Sequence, residues 1–129
     1  MIVEISLNTD SAVPLYKQLV QQLIVEIAKG TLKDGESMPP IREMAMQTGL
    51  NLHTVHKSYK ELQMKGLLKR KLNSKAFIII HPASPLNDMD VQQISIELEQ
   101  VLVEAYVLGL RKNQLHQLLG NISQKYSFL

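Results

Sequence analysis

The chain of 129 residues contains no cysteine. Disulfides and thiolate-bound metals are therefore excluded, which fits a reducing cytoplasm. No apolar run approaches the roughly 20 residues that cross a bilayer. The opening Met1-Ile2-Val3-Glu4 lacks the charged-then-apolar pattern of a signal segment. The expectation is a cytoplasmic protein with no membrane partner. A glycine-rich phosphate loop, a nucleophile elbow and a His-Glu metal motif are all missing. The residues after position 87 are too few to enclose a substrate pocket easily. Neither enzymatic activity nor a cofactor or metal is expected. Internal repeats and low-complexity tracts are absent too.

What is present is an uneven distribution of charge. The net charge of +2 conceals three regions. Residues 1–50 and 86–129 each carry a net −2, whereas residues 51–85 carry seven basic side chains and one acidic. A localised basic segment is the electrostatic footprint of a phosphate-backbone binder, although a solvated lysine face has the same composition.

The order of elements gives that segment a shape. Ser11 and Pro14 read as a helix start, and Leu15, Leu19, Leu23 and Ile27 follow at i+4 spacing with Val20 and Ile24 beside them. Gly30 is a plausible stop, and Lys33-Asp34-Gly35-Glu36 reads as a turn. Pro39-Pro40 opens a short helix with Ile41, Met44 and Ala45 turned inward. Thr48-Gly49-Leu50-Asn51 is the break before a third helix that runs to about Lys65, with Asn51 as its cap.

At 100° per residue, Tyr59 and Leu62 fall within roughly 40° of Val55 and form the buried face of that third helix. His53, His56, Lys57 and Lys60 fall on the opposite side. The segments Leu67–Leu72 and Lys75–Ile80 read as two strands around Asn73-Ser74, and His81-Pro82-Ala83-Ser84-Pro85 reads as a linker. The hairpin supplies Lys69, Arg70, Lys71 and Lys75.

A further helix is expected over Asp88–Leu108. Its Val91, Ile94, Leu98, Val101, Ala105 and Leu108 step by 3 and 4, with Leu102 alongside, which is a short heptad seam. Leu115, Leu118, Leu119 and Ile122 mark a last helix, weakened by Gly120. Two amphipathic helices with a short connection make an αα-hairpin. It is too small for a core of its own and must pack on something, so a dimer interface is expected along these apolar positions, the alternative being that they cover the back of the winged helix.

The fold class is therefore mostly α with a small β-hairpin. A winged helix-turn-helix domain over 1–81 is joined by a linker at 82–87 to a two-helix dimerisation tail over 88–129. An α-helix fits the major groove of B-DNA, and a basic hairpin beside it can lie along the backbone.

The residues also resemble a known family. Pro14-Leu15-Tyr16, Gly30-x-Leu32-x-x-Gly35, Met38-Pro39-x-x-Arg42-Glu43-x-Ala45 and Thr54-Val55 look like the signature of GntR-type regulators. Glu61-Leu62-x-x-x-Gly66-Leu67 and Phe77 extend the match, and the short two-helix tail resembles the YtrA subfamily. The resemblance implies DNA contacts from Arg42 and from Asn51, His53 and Thr54, and Lys57 stands at a position usually held by a basic residue; Lys57 and Lys60 are expected to contact phosphates. Three departures stand out. Pro40 replaces the family's usual serine cap. His53 stands where Arg or Asn is common. The wing stretch Lys71-Leu72-Asn73-Ser74-Lys75 lacks the family's two glycines.

The expected function is a sequence-specific transcription regulator, a repressor binding a pseudopalindromic operator as a homodimer. The resemblance further suggests control of transporter genes. The alternative is a protein-interaction adaptor that uses the winged helix without DNA. A small-molecule effector is compatible with either, but the sequence names none. His53 and His56 sit three apart on one helix face, which is half of a metal site at best, so no metal is assigned to them.

Overall fold

The computed structural model describes residues 4–70, 75–80 and 86–126. The chain divides into two compact units, Met1–Ile80 and His81–Leu129.

In the first unit α1 spans Leu15–Ala28, with Pro14 as its N-cap and no side-chain cap bond. The helix start expected at Ser11 is thus displaced. Ser11 Oγ accepts from the Val13 N–H at 3.1 Å and closes a local turn ahead of the helix. Proline suits the cap position because it has no N–H to satisfy and its φ is already helical. Two glutamines one turn apart hold the preceding segment onto α1. Gln18 exchanges hydrogen bonds with the backbone of Asn8 and also donates to the Val13 carbonyl, and Gln22 pairs with the backbone of Ser6.

The helix α2 spans Ile41–Thr48 and α3 spans Leu52–Met64. Gly49 joins them with φ of 75°, the left-handed conformation that the sharp turn demands. Asn51 caps α3, as its position suggests. The helix α3 is the hub of the unit and touches α1, α2 and the wing. Its buried residues include Val55, Tyr59 and Leu62, the face expected from the helical period. Around them pack Leu19, Val20 and Leu23 of α1, Met44 of α2, Leu32 and Met38 from the loops, and Leu68, Ala76 and Ile78 from the hairpin.

Ser58 is fully buried in this core. Its hydroxyl lies 2.9 Å from the Tyr16 carbonyl and 3.1 Å from that of Thr54. A buried hydroxyl with partners carries little penalty.

The wing strands are shorter than the apolar runs suggest. β1 is Leu68–Arg70 and β2 is Ala76–Ile78, antiparallel, with Lys69 opposite Phe77. The loop before α2 adds a further edge. Ser37 bridges Phe77, the Met38 N–H donates to the Ala76 carbonyl at 2.8 Å, and the Ile78 N–H donates to Glu36 at 2.9 Å. Asp34 Oδ1 accepts from the Ile80 N–H at 2.8 Å and pins the chain as it leaves the wing. The expected tip at Lys71-Leu72-Asn73-Ser74 and linker at His81-Pro82-Ala83-Ser84-Pro85 lie outside the described residues.

In the second unit α4 spans Asp88–Val107 and α5 spans Lys112–Lys125. Asn87 caps α4 by accepting from the Asp90 N–H at 2.8 Å. Leu108, expected inside this helix, is its C-cap instead. Gly120 sits inside α5 without ending it. The two helices follow one another as expected, yet among the described residues no Cα of α4 lies within 8 Å of one in α5. Neither helix has a buried residue. Among the described residues, no helix is long and apolar enough to cross a membrane.

Candidate nucleic-acid interface

The outward face of α3 is as the helical period requires. His53, His56, Lys57 and Lys60 are all exposed. Burial of the opposite face on α1 and α2 leaves these side chains nowhere to go but solvent or a ligand. Lys57 is held in place by more than its helix. Its Nζ sits 4.1 Å from the centre of the Tyr16 ring, a cation–π contact that steers the ammonium toward the start of α1. Tyr16 is itself half-buried and anchored beside Ser58 through its carbonyl.

At the leading end of α3 the polar groups are already engaged. Asn51 Oδ1 accepts from both the Thr54 N–H, at 2.8 Å, and the Thr54 hydroxyl, at 2.9 Å. Both lone pairs of that oxygen are used. The two N–H donors of the carboxamide remain available, as does acceptor capacity on the Thr54 hydroxyl.

Arg42 lies in the first turn of α2 and is exposed. Hairpin geometry brings two further cations toward it. Side chains alternate across a strand, so Arg70 shares the face of Leu68, and Lys69 takes the other face opposite Phe77. Arg42, Arg70 and Lys75 consequently line one cleft of about 570 Å³, floored by Met38, Pro40 and Tyr59. The four wing cations read from the sequence thus divide. Arg70 and Lys75 join Arg42, Lys69 faces away, and Lys71 lies outside the described residues.

Tyr59 sets the floor of that cleft. Its hydroxyl donates to the Pro39 carbonyl at 2.7 Å, which ties the middle of α3 to the start of α2. Burial pushes the phenol well above its ordinary range, the neighbouring Glu43 carboxylate pushes the same way, and Arg70 pulls against both. The group stays a neutral donor throughout the physiological range. Among the described residues, no three His, Cys, Asp or Glu side chains gather where they could hold a metal.

Sequence reasoning missed two contributors. One is Tyr16, since nothing local in the sequence links it to Lys57. The other is Leu52, an apolar residue that is 46% exposed at the leading end of α3. At about 60° from Val55 on the helical wheel it borders the buried face, so the helical period carries no signal of its exposure.

The profile of the bacterial regulatory proteins of the gntR family matches residues 15–78, the stretch that builds α1, the helix-turn-helix and the wing. The chain belongs to the GntR family. Its likeness to the YtrA regulators runs beyond that stretch. This GntR regulator is 29% identical to the transcriptional repressor YtrA of Bacillus subtilis over 92% of both chains. It superimposes on a GntR-family factor, YtrA of Sulfolobus acidocaldarius, with a TM-score of 0.64 at 30% identity, covering 77% of this chain and 97% of that one. A solved structure from Listeria monocytogenes, described as a transcriptional antiterminator, matches with a TM-score of 0.87 at 27% identity, covering 94% and 90%. The winged helix followed by two tail helices is therefore an architecture shared at full length.

The tail residues singled out in the sequence are open to solvent in the single chain. Val91, Ile94, Leu98, Val101 and Leu108 of the seam and Leu118, Leu119 and Ile122 of α5 are exposed. Leu102, Ala105 and Leu115 are half-buried.

Proposed function

We propose that this DNA-binding transcription regulator acts as a homodimeric repressor. Residues 1–81 read DNA, 82–87 link, and 88–129 dimerise. Each protomer presents α3 to the major groove of one half-site of a pseudopalindromic operator. The observation that carries the reading is the convergence of Arg42, Arg70 and Lys75 on one cleft beside the cationic outward face of α3. Arg42 offers the planar fork suited to phosphate or a guanine edge, and Lys57, Lys60 and Lys75 act as point charges on the backbone. Asn51, His53, Thr54 and His56 sit where a recognition helix meets base edges.

Dimerisation rests on the tail. Its two helices expose most of their apolar residues and bury none, which in water is the surface of an interface rather than of a finished unit. A second copy supplies the same surface and closes it with two-fold symmetry. Repression follows the YtrA relative, which is named a repressor, and the cytoplasm is the compartment where its DNA lies.

The test is operator binding across a salt series with the full chain. With six to ten phosphate contacts for the dimer, log affinity falls with log salt at a slope of about −5 to −9. A salt-independent affinity, or a monomer by light scattering at binding concentrations, would overturn the proposal.

A further inference from the structure

Leu52 is the first residue of α3 and Met46 lies near the end of α2, and both are exposed, Met46 to 84%. With Ala45 and Leu50 they line a shallow, open, largely apolar hollow that runs from Arg42 to His53. This is an aliphatic patch set inside a charged face. Ala45 and Leu50 pack against the core, whereas Met46 and Leu52 lie outside it. The hollow is continuous with the surface that meets DNA, and the leading residues of a recognition helix are those that reach base edges.

The neighbouring polar group narrows what fits. Asn51 has spent both lone pairs of its carboxamide oxygen on Thr54. It cannot form the paired oxygen-and-nitrogen contact that an adenine edge offers without giving up the cap of α3. It has only N–H donors to give. In the major groove thymine is the one base that presents a methyl group, and beside that methyl stands the O4 acceptor. An apolar side chain next to a pure donor is the complement of that edge. Cytosine offers a donor to a donor, and guanine offers acceptors but no methyl.

We infer that Leu52 and Asn51 together read one thymine in each operator half-site, Leu52 against its 5-methyl group and Asn51 Nδ2 on its O4. The inference rests on α3 being the recognition helix and goes beyond it by naming the base and the atoms read.

The experiment begins by selecting an operator from a random duplex pool with the full-length regulator. Each thymine is then replaced in turn by uracil, which removes one methyl and leaves O4. One position per half-site loses about 3- to 10-fold in affinity, the scale of one buried methyl with its packing. At that same position, 5-methylcytosine opposite guanine keeps the methyl but exchanges the acceptor for an amino donor, and affinity falls about tenfold or more. Leu52→Ala weakens binding to the thymine operator by the uracil factor and no longer distinguishes the two bases. Its melting temperature stays near that of the parent, because Leu52 is outside the core. Uracil tolerated at every position overturns the inference while leaving DNA reading intact, as does a Leu52→Ala protein that still prefers thymine. Failure of any sequence to enrich overturns the recognition role of α3 and the inference with it.

Discussion

The two units of this regulator treat their apolar residues in opposite ways. Met1–Ile80 gathers Leu19, Leu23, Met44, Val55, Leu62 and Ile78 into a closed core around α3. The tail carries as regular an apolar period, yet Val101 is 63% and Leu108 79% exposed. Periodicity states that a face must be covered and is silent on what covers it. In the winged unit the cover comes from the same chain, because three helices and a hairpin enclose a volume. The two tail helices bury no residue within the single chain. The winged unit is expected to be stable in its own right, and the tail to be stable only as part of an assembly.

The sharpest way to break this contrast is a charge in the tail seam. Leu98→Glu buries a carboxylate in the proposed interface, so the protein becomes monomeric by light scattering and operator affinity falls about 100-fold or more. If the variant stays dimeric, the seam is not the interface. The converse substitution lies in the winged core. Leu23→Ala leaves a cavity beside α3 and lowers unfolding free energy by about 2–5 kcal/mol in denaturant titration, with the oligomeric state unchanged.

Within the winged unit, surface and core are separable in the same way. Arg42→Ala lowers operator affinity about 10- to 100-fold, the scale of a charge-assisted hydrogen bond, without changing the melting temperature. Arg42→Lys restores only part of the loss, because an ammonium lacks the fork.

Tyr59→Phe does the reverse. It removes the bond to Pro39 and costs about 1 kcal/mol of stability, read by thermal melting, with a smaller effect on affinity. It also carries a pH signature. The folded phenol is raised above its unfolded value of about 10. Above that pH the unfolded chain releases a proton that the folded one keeps, so this contribution is constant below about pH 10 and is lost as pH rises further. The Phe variant loses less stability over the alkaline range than the parent does, and equal slopes would show that Tyr59 is not held as described.

The smallest expected effect belongs to the Lys57–Tyr16 pair. Lys57→Ala weakens binding a few-fold on every sequence and lowers the salt slope by about one per protomer. Tyr16→Phe keeps the ring and changes little. Tyr16→Leu reproduces part of the lysine loss, because the cation–π contact of about 0.5–1 kcal/mol is gone.

Much of this molecule could be read without coordinates. The buried face of α3 at Val55, Tyr59 and Leu62, the turn at Gly49, the cap at Asn51 and the basic outward face all follow from the geometry of one helix and its ends. The GntR signature adds the order of the elements and the role expected of Arg42. These are local properties, set by residues within a turn or two of each other, and a sequence displays them directly.

Tertiary structure decided the rest. Hairpin register sends Arg70 toward Arg42 and Lys69 away from it, although the two are neighbours in sequence. Packing of α1 on α3 brings Tyr16 under Lys57, and the loop at 35–38 pairs with β2 although part of it reads as a turn and two prolines follow it directly. The demands of a helix end occupy Asn51 Oδ1, so the residue expected both to cap α3 and to contact DNA is left with N–H donors only. In the tail, the period named the apolar positions, and neither helix buries one within the single chain. Each of these outcomes depends on which groups meet across elements. That is a property of packing in three dimensions, and periodicity along the chain does not contain it.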